Sequence, residues 1–315
     1  MSNDIAIGID VGGTNVKGAL VNRDGTVVSR VQRPTEVEAA TKSVIGVAET
    51  LQQQAAADGS NVAACGVGAA GFIDSHRGAV TFAPNTLYDD PEIGAAVGSR
   101  LGVPVVVDND ANAAAWGEYR FGFAAGIPHL TFITLGTGIG AGFVVEGRLV
   151  RGSTGAGAEL GHMVIDPKGP RCPCGLRGCL ERFASGSAIA EAARIELEAG
   201  AASSLTSVVS AIELVTAEDV AKQAAQYDDL SSSVLRRAGT MLGVGLANVV
   251  NLFDPTVIVL GGSVVKAGEA YLGPARDELA ERLVAQRRRP ARLDVSSLGD
   301  DAGLLGAAAL AWDAT

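Results

Sequence analysis

Residues 159 to 181 read Glu-Leu-Gly-His-Met-Val-Ile-Asp-Pro-Lys-Gly-Pro-Arg-Cys-Pro-Cys-Gly-Leu-Arg-Gly-Cys-Leu-Glu. This run holds one imidazole and three thiols, the ligand set of a closed tetrahedral zinc site: His162, Cys172, Cys174 and Cys179. Three of the four cysteines of the chain lie here, so unrelated buried thiols or a surface disulfide are the weaker interpretations. Because no ligand position is left for water, the sequence predicts a structural zinc ion and not a catalytic one.

Two carboxylates flank this zinc knuckle, which we define as residues 162 to 179. Glu159 precedes the first ligand and Glu181 follows the last one. A metal that fixes the knuckle would also fix both carboxylates, and rigid carboxylates are good acceptors for sugar hydroxyl groups. The run therefore predicts a zinc-stiffened pocket for a polar small molecule.

The composition limits the class of protein. A length of 315 residues with 47% apolar and 19% charged residues indicates a globular chain of one large domain or two modest ones. A formal charge of -10 argues against a nucleic-acid or anionic-membrane surface. The N-terminus predicts no signal peptide, and charges and glycines interrupt every apolar run. Thiols grouped as metal ligands fit a reducing compartment, so we expect a cytoplasmic protein.

A Gly/Thr pattern near the N-terminus predicts a strand, a turn and a second strand. Residues 5 to 18 read Ile-Ala-Ile-Gly-Ile-Asp-Val-Gly-Gly-Thr-Asn-Val-Lys-Gly. Gly12 and Gly13 let backbone amides approach an anion closely, while Thr14 and Asn15 can donate hydrogen bonds from their side chains. Taken alone, such a hairpin is more often structural than functional.

The pattern occurs a second time. Residues 132 to 140 read Phe-Ile-Thr-Leu-Gly-Thr-Gly-Ile-Gly, followed by another strand. Two such units indicate an internal duplication, and two facing loops could hold a polyphosphate from both sides. Asp10, at the end of the first strand, is placed to hold a metal–phosphate complex. The pairing favours a phosphate site over two plain turns.

Asp108-Asn-Asp110 follows a buried strand and precedes a helix expected from residue 113. These residues can cap the helix, or Asp110 can act as a general base while Asn109 binds a neighbouring hydroxyl. Gly71 and Asn85 could line a pocket or form turns, and the same alternatives hold for Gly261 and Gly262. Residues 184–200 are predicted to form one helix, and residues 201–216 a loop without chemistry.

Six motifs can now be taken together. They are Asp10-Val-Gly-Gly-Thr14, Asp108-Asn-Asp110, Leu135-Gly-Thr-Gly-Ile-Gly140, Glu159-Leu-Gly-His162, Cys172-Pro-Cys-Gly-Leu-Arg-Gly-Cys-Leu-Glu181 and Val259-Leu-Gly-Gly262. In order and spacing they resemble the ROK family of sugar kinases and repressors, in particular its bacterial glucokinases, over nearly the whole chain. The resemblance implies the actin-like ATPase (ribonuclease H-like) α/β fold, with a cleft between two duplicated α/β domains. We expect a small domain at residues 1–122 plus a C-terminal helix at about 301–315. The large domain is expected at 123–300 and carries the zinc knuckle.

The resemblance also implies roles for the motif residues. Asp110 would be the general base for the 6-hydroxyl of the sugar. Residues that would hold the sugar are Asn109, Glu159, His162 and Glu181, with Gly71 and Asn85 as further pocket members. Residues that would hold ATP are Asp10 (through Mg²⁺), Gly12, Gly13, Thr14, Asn15, Lys17, Thr137, Gly138, Gly261 and Gly262. His162 would serve twice, with one ring nitrogen on zinc and the other facing the sugar.

The activity implied is an ATP-dependent glucokinase. Alternatives are a kinase for another hexose or an N-acetylhexosamine (N-acetylmannosamine, N-acetylglucosamine, mannose or fructose), and a non-catalytic sugar-sensing regulator. Related repressors carry an N-terminal helix-turn-helix domain, for which a first strand at Ile5 leaves no room. ATP is favoured over polyphosphate as donor, and the resemblance implies a homodimer or homotetramer.

Overall fold

The computed structural model describes residues 4–36, 38–83, 86–283 and 291–315. The strands are β1 (Asp4–Val11), β2 (Asn15–Val21), β3 (Val27–Pro34), β4 (Asn61–Ala69), β5 (Phe72–Asp74), β6 (Ala79–Phe82), β7 (Val105–Asn109), β8 (Leu130–Leu135), β9 (Ile139–Val145), β10 (Arg148–Leu149), β11 (Val257–Gly261) and β12 (Arg292–Val295). The helices are α1 (Ala40–Ala57), α2 (Ile93–Leu101), α3 (Asp110–Phe121), α4 (Glu181–Ala184), α5 (Gly186–Glu198), α6 (Leu205–Val208), α7 (Ala217–Ala224), α8 (Asp229–Phe253), α9 (Glu269–Arg282) and α10 (Ala302–Asp313). Within these ranges, no helix is long and apolar enough to span a membrane.

Two five-stranded sheets share one topology. The first has the order β3-β2-β1-β4-β7 and the second β10-β9-β8-β11-β12. In the first sheet β1 and β2 are antiparallel, and β4 and β7 run parallel to each other on the far side of β1. In the second sheet β9 and β10 are antiparallel, and β11 and β12 run parallel to each other on the far side of β8. The strand order of each half is therefore third, second, first, fourth, fifth, as an internal duplication predicts.

Successive side chains of β1 point to opposite faces of the first sheet, so its sequence determines what packs on each face. Ile5, Ile7 and Ile9 are buried in one apolar cluster together with residues of α1 and α2. Ala6, on the opposite face, is buried with residues of α10. A side chain at Gly8 would lie 2.3 Å from the carbonyl oxygen of Leu304, so the small residues let the α10 backbone rest on the sheet. Tight packing of the Ala-rich closing helix follows from its composition.

The chain forms two compact units. Unit 1 comprises the described residues up to Phe132 together with Gly142–Ala158 and Ser296–Thr315. Unit 2 comprises Ile133–Ala141 and the described part of Glu159–Val295. The division predicted at residue 122 assigns 123–132 and 142–158 to the large domain, whereas these residues belong to unit 1. At Gly142 the reason is packing on α3, because a side chain there would come within 2.5 Å of Ala115 Cβ.

Two local predictions need correction, and one is confirmed. Helix α3 begins at Asp110 and not at residue 113, because Asn109 caps it. The helix expected over 184–200 is α5, and the short helix α4 precedes it. The loop expected over 201–216 contains α6 and a 3₁₀ turn at Ile212–Leu214.

Candidate active site

The zinc knuckle brings its four ligands together in unit 2. One donor atom from each of His162, Cys172, Cys174 and Cys179 lies within 4.8 Å of the others. Cys172 Sγ is 3.7 Å from His162 Nδ1, and Cys174 Sγ is 3.6 Å from Cys179 Sγ. In a tetrahedral site with zinc–sulfur bonds of about 2.3 Å, neighbouring ligand atoms lie roughly 3.5–3.8 Å apart, so the four residues fit zinc. Coordination through Nδ1 would leave Nε2 of His162 for another partner.

The backbone of the knuckle needs glycine at its centre. Gly178 has a φ of +70°, and a side chain there would lie 1.5 Å from the carbonyl oxygen of Asp166. The N–H of Ile165 donates to the carbonyl oxygen of Gly178 at 2.9 Å. Backbone hydrogen bonds therefore hold this turn without a contribution from a metal ion. Cys179, which follows Gly178, is 0% exposed.

The two flanking carboxylates differ in their surroundings. Glu159 is exposed as a residue, but partial burial of its carboxyl group raises its pKa, with His162 opposing and Glu181 adding to the rise. The carboxylates of Glu159 and Glu181 therefore lie near each other. Glu181 Oε2 accepts a 2.9 Å hydrogen bond from the N–H of Ile139.

Ile139 ends the Gly/Thr loop, which we define as residues 135 to 139. The carbonyl oxygen of Gly136 accepts from the N–H of Gly186 at 2.8 Å, in the first turn of α5. A side chain at Gly138 would lie 2.3 Å from Glu181 Oε2, whereas one at Gly136 would meet nothing within 4 Å. Packing therefore explains the glycine at 138 but not the one at 136.

The Gly/Thr loop borders a cavity of about 720 Å³ that lies within unit 2. Aliphatic residues form much of its wall: Ile189, Ala190, Ala221, Leu235, Val264 and Ala267. Polar and charged residues complete it: Thr137, Ser187, Arg194, Thr216, Glu218, Lys222, Ser263 and Lys266. This volume and mixture of groups suit a small organic ligand with a charged end.

Part of the cavity wall could not be predicted from the sequence. Thr216 ends the segment that shows no chemistry in the sequence, yet it lines the cavity and caps α7 in a capping box with Asp219. Arg194 holds this region, because its Nη2 donates to the carbonyl oxygen of Val215 at 2.8 Å. The capping-box pattern was the available signal, but it predicts a helix start and not a ligand.

In unit 1, the turn between β1 and β2 is braced by Thr35. The Thr35 hydroxyl donates to the carbonyl oxygen of Gly12 at 2.7 Å, and its N–H donates to that of Thr14 at 2.9 Å. The N–H of Gly12 donates to the carbonyl oxygen of Asn15 at 3.0 Å. A side chain at Gly13 would meet nothing within 4 Å, so neither packing nor a positive φ requires glycine there.

Asp10 lies at the end of β1, opposite Lys17 of β2. Burial raises the pKa of Asp10, and the positive charge of Lys17 opposes this rise. Burial also raises the pKa of Tyr88, and the carboxylates of Asp110 and Asp10 raise it further. Asp10 and Asp110 therefore both lie near one phenol. A carboxylate oxygen is a suitable ligand for a hard cation such as Mg²⁺.

Asp110 is the first residue of α3, directly after β7. Asn109 is the N-cap, and its Oδ1 accepts from the N–H groups of Ala111 and Asn112 at 2.9 and 3.2 Å. Its Nδ2 donates to the carbonyl oxygen of Gly71 at 3.1 Å, which leaves one N–H for a ligand. Asn109 therefore provides the helix cap, and the predicted role of Asp110 as a general base does not compete with capping.

The remaining predicted positions are less informative. Gly71 has a φ of +118°, and a side chain there would lie 2.4 Å from the carbonyl oxygen of Phe82, so the backbone itself requires glycine. Gly261 is buried at the end of β11, and Gly262 has a φ of +87°. Asn85 lies outside the described residues.

The sequence profile of the ROK family matches residues 6–314. The chain belongs to the ROK family. It is 36% identical to the glucokinase of Streptomyces coelicolor, over 98% of this chain and 97% of that protein. It is also 30% identical to the xylose repressor of Bacillus subtilis, over 98% of this chain and 77% of that protein.

Among solved structures, this ROK chain is similar to a ROK family glucokinase from Streptomyces griseus in complex with glucose and AMPPNP. The TM-score is 0.85 at 36% identity, covering 98% of this chain and 99% of that one. The predicted fold class is confirmed, since the ROK sugar kinases have the actin-like ATPase fold and the two sheets here share one strand order.

Proposed function

We propose that the protein is an ATP-dependent glucokinase that transfers the γ-phosphoryl group of ATP to the 6-hydroxyl of glucose. The observation that carries this proposal is the Gly/Thr loop, which opens into a 720 Å³ cavity and is held by one of the two knuckle carboxylates. Similarity to glucokinases along nearly the full chain supports the same activity.

The chemistry requires positioning, charge neutralisation and one proton acceptor. Asp110 would accept the proton of the 6-hydroxyl as the oxygen attacks phosphorus, because it is the carboxylate at the start of α3. Glu159 and Glu181 would accept hydrogen bonds from ring hydroxyls, with Nε2 of His162 and the remaining N–H of Asn109 as further polar contacts. Gly71 is the weaker pocket candidate, because its conformation already explains its identity.

The residues proposed to contact the phosphates of the nucleotide belong to the Gly/Thr loop and to the β1–β2 turn. Thr137, Gly138, Gly12, Gly13, Thr14, Asn15 and Lys17 are the candidates for phosphate contacts. The aliphatic wall of the cavity would take the base, with Gly261 and Gly262 before the turn that forms one side of it. A polyphosphate chain has no group that an aliphatic wall would favour, so the cavity supports ATP as donor.

The proposed function involves two metal ions, Mg²⁺ and zinc. Mg²⁺, which a kinase using ATP implies, would be held by Asp10 and would neutralise phosphate charge. Zinc would be held by the knuckle and would have a structural role, fixing Glu159, His162 and Glu181 in place. A homodimer or homotetramer and a cytoplasmic location stay predictions from the sequence.

A coupled assay of phosphorylation by Mg-ATP tests the proposal. The substrates are glucose, mannose, fructose, N-acetylglucosamine, N-acetylmannosamine and xylose, with polyphosphate as a second donor. We expect glucose with ATP to give the largest kcat/KM. Preference for another hexose or an acetamido sugar would keep the kinase but overturn the substrate. Sugar binding without transfer to any acceptor would favour a sensor, the alternative that the repressor similarity supports.

A further inference from the structure

Glu181 contacts the Gly/Thr loop with one side of its carboxylate. Its Oε2 accepts the N–H of Ile139 at 2.9 Å. A Cβ built on Gly138 would lie 2.3 Å from Oε2 but 3.9 Å from Oε1. Oε1 is thus the oxygen farther from the loop, and no described residue donates a hydrogen bond to it. One carboxylate therefore offers one oxygen to the loop and one to a ligand.

The residues that follow Glu181 hold the same loop at two more points. The N–H of Gly186 donates to the carbonyl oxygen of Gly136 at 2.8 Å, and the N–H of Ser187 donates to that of Thr137 at 3.4 Å. The N–H of Ser185 in turn donates to the carbonyl oxygen of Glu181 at 3.3 Å. Residues 181 to 187 therefore form a backbone support along the loop, and the Glu181 side chain is its first contact.

We propose that Glu181 couples sugar binding to nucleotide binding: Oε2 holds the Gly/Thr loop in its phosphate-binding shape while Oε1 accepts a sugar hydroxyl. The inference rests on the proposed function, since it requires glucose and ATP as the two ligands. It differs from a plain sugar contact, because the same side chain contributes to the affinity of both ligands.

Physical reasoning gives the direction of this coupling. A hydroxyl on Oε1 restricts the rotamers of the Glu181 side chain, so Oε2 stays on the Ile139 N–H for a larger fraction of the time. The second ligand then loses less conformational entropy on binding, and reciprocity requires that each ligand tighten the other by the same factor. Typical coupling factors are about 5 to 150.

Calorimetry without turnover tests this inference. The affinity for glucose is measured with and without Mg-AMPPNP, and the affinity for Mg-AMPPNP with and without glucose. In the wild type we expect each ligand to tighten the other by at least about 5-fold. Glu181→Ala should weaken the binding of both ligands and bring the coupling factor close to one. Glu181→Gln keeps an oxygen for the Ile139 N–H, so its affinity for Mg-AMPPNP alone should stay near that of the wild type.

The matched control is Glu159→Ala. Glu159 is the other knuckle carboxylate, and it makes no hydrogen bond to the Gly/Thr loop among the described residues. This variant should lower the affinity for glucose but keep the coupling factor of the wild type. Thermal unfolding of every variant checks that it is folded.

Three results would overturn the inference. A wild type that binds both ligands without coupling would do so, and the proposed function would stand. A Glu181→Ala variant that weakens glucose alone, with coupling unchanged, would reduce Glu181 to a sugar ligand. A wild type that binds neither ligand would remove the proposed function and the inference with it, and that failure is visible before any variant is made.

Discussion

Arg151 donates a 2.7 Å hydrogen bond from Nε to Oδ2 of Asp108, a carboxylate that is 1% exposed. The other oxygen, Oδ1, accepts from the N–H of Asn109 at 2.8 Å and from Nδ2 of Asn112 at 3.0 Å. The ion pair therefore fixes the strand end and the first turn of α3, and Asp110 lies between the two residues that Asp108 holds. Asp108, Asn109 and Asp110 are three consecutive polar residues in the sequence. In the structure, Asp108 positions the backbone that carries Asp110.

Arg151→Met should show what this support contributes. Methionine keeps most of the length but leaves the buried Asp108 without its cation, at a cost of about 1–3 kcal/mol in unfolding free energy. A displaced Asp110 should lower kcat by roughly 10- to 100-fold with a smaller change in glucose affinity. Urea unfolding and steady-state kinetics measure the two effects.

Arg77→Met is the matched control, because Arg77 pairs with Glu92 on the surface of the same unit. We expect a loss of no more than about 1 kcal/mol there and no change in kcat. Equal effects of the two substitutions would mean that the Arg151 pair has no special role at the site.

Asp110→Asn tests the proposed role of Asp110 as the general base. Asp110 Oδ1 accepts from the N–H of Ala111 at 2.9 Å, and an asparagine oxygen can accept the same bond, so helix α3 should survive. Without a carboxylate to take the hydroxyl proton, kcat should fall by about 10²- to 10⁴-fold while glucose still binds. Turnover near that of the wild type would leave Asp110 with only a structural role at the start of α3.

Gly13→Ala and Gly136→Ala test whether two glycines serve a ligand and not the fold. A side chain at either position meets nothing within 4 Å, and neither residue has a positive φ, so both variants should unfold like the wild type. If phosphates approach these backbones, the KM for ATP should rise by roughly 10-fold and the KM for glucose should change less.

The control for these glycines is Gly273→Ala in α9. A side chain there would come no closer than 3.6 Å to Glu269, and the position lies outside the cavity wall. It should leave the KM for ATP unchanged. An unchanged KM in Gly13→Ala as well would mean that the β1–β2 turn does not contact the phosphates.

Metal analysis of the purified protein should give about one zinc per chain, and Cys174→Ala should lose it. Because Glu159 and Glu181, the proposed sugar ligands, flank the knuckle, the variant should unfold at a lower temperature and bind glucose more weakly. Cys65→Ala is the control, since Cys65 is a buried thiol in unit 1 whose pKa burial raises to about 12. Normal glucose affinity in a zinc-free Cys174→Ala protein would contradict the idea that zinc orders the pocket.

Local sequence patterns were sufficient for the parts of this protein that depend on neighbours in the chain. The ligand spacing of the knuckle, the two Gly/Thr hairpins and the presence of a helix after Asp108-Asn-Asp110 are all short-range features. The repeat of the hairpin predicted the duplicated strand order, because each copy begins the same five-stranded sheet.

Contacts between distant residues could not be predicted in this way. Nothing in the sequence relates Glu181 to Ile139, or Arg151 to Asp108, since each pair forms only when separate elements fold together. The cavity wall around Thr216 was missed for the same reason. Small and polar residues there indicate a loop by propensity, whereas packing of α7 against α8 and α5 makes the segment a wall.

Glu118, on α3, gives a pH dependence that does not involve the proposed site. The residue is 0% exposed, Oε1 accepts from the Ser296 hydroxyl, and Oε2 has no hydrogen-bond partner among the described residues. Burial raises the pKa of Glu118 above its ordinary value of 4.5, with Ser296 and the Leu298 backbone opposing. The folded protein therefore keeps this proton at pH values where the unfolded chain has released it.

The sign of the effect follows from this difference in proton binding. Below pH 4.5 both states are protonated and the carboxyl group costs nothing, whereas stability falls as pH rises through the raised pKa of the folded state. Glu118→Gln removes the titration, so its Tm relative to the wild type should increase as pH rises above 4.5 and should level off above the raised pKa of the folded state. Ser296→Ala removes a contact that lowers the pKa of Glu118, so it should extend the decline in stability to higher pH. Thermal unfolding of the three proteins without ligands measures this, and a Tm difference that is constant with pH would show that folding does not shift the pKa of Glu118.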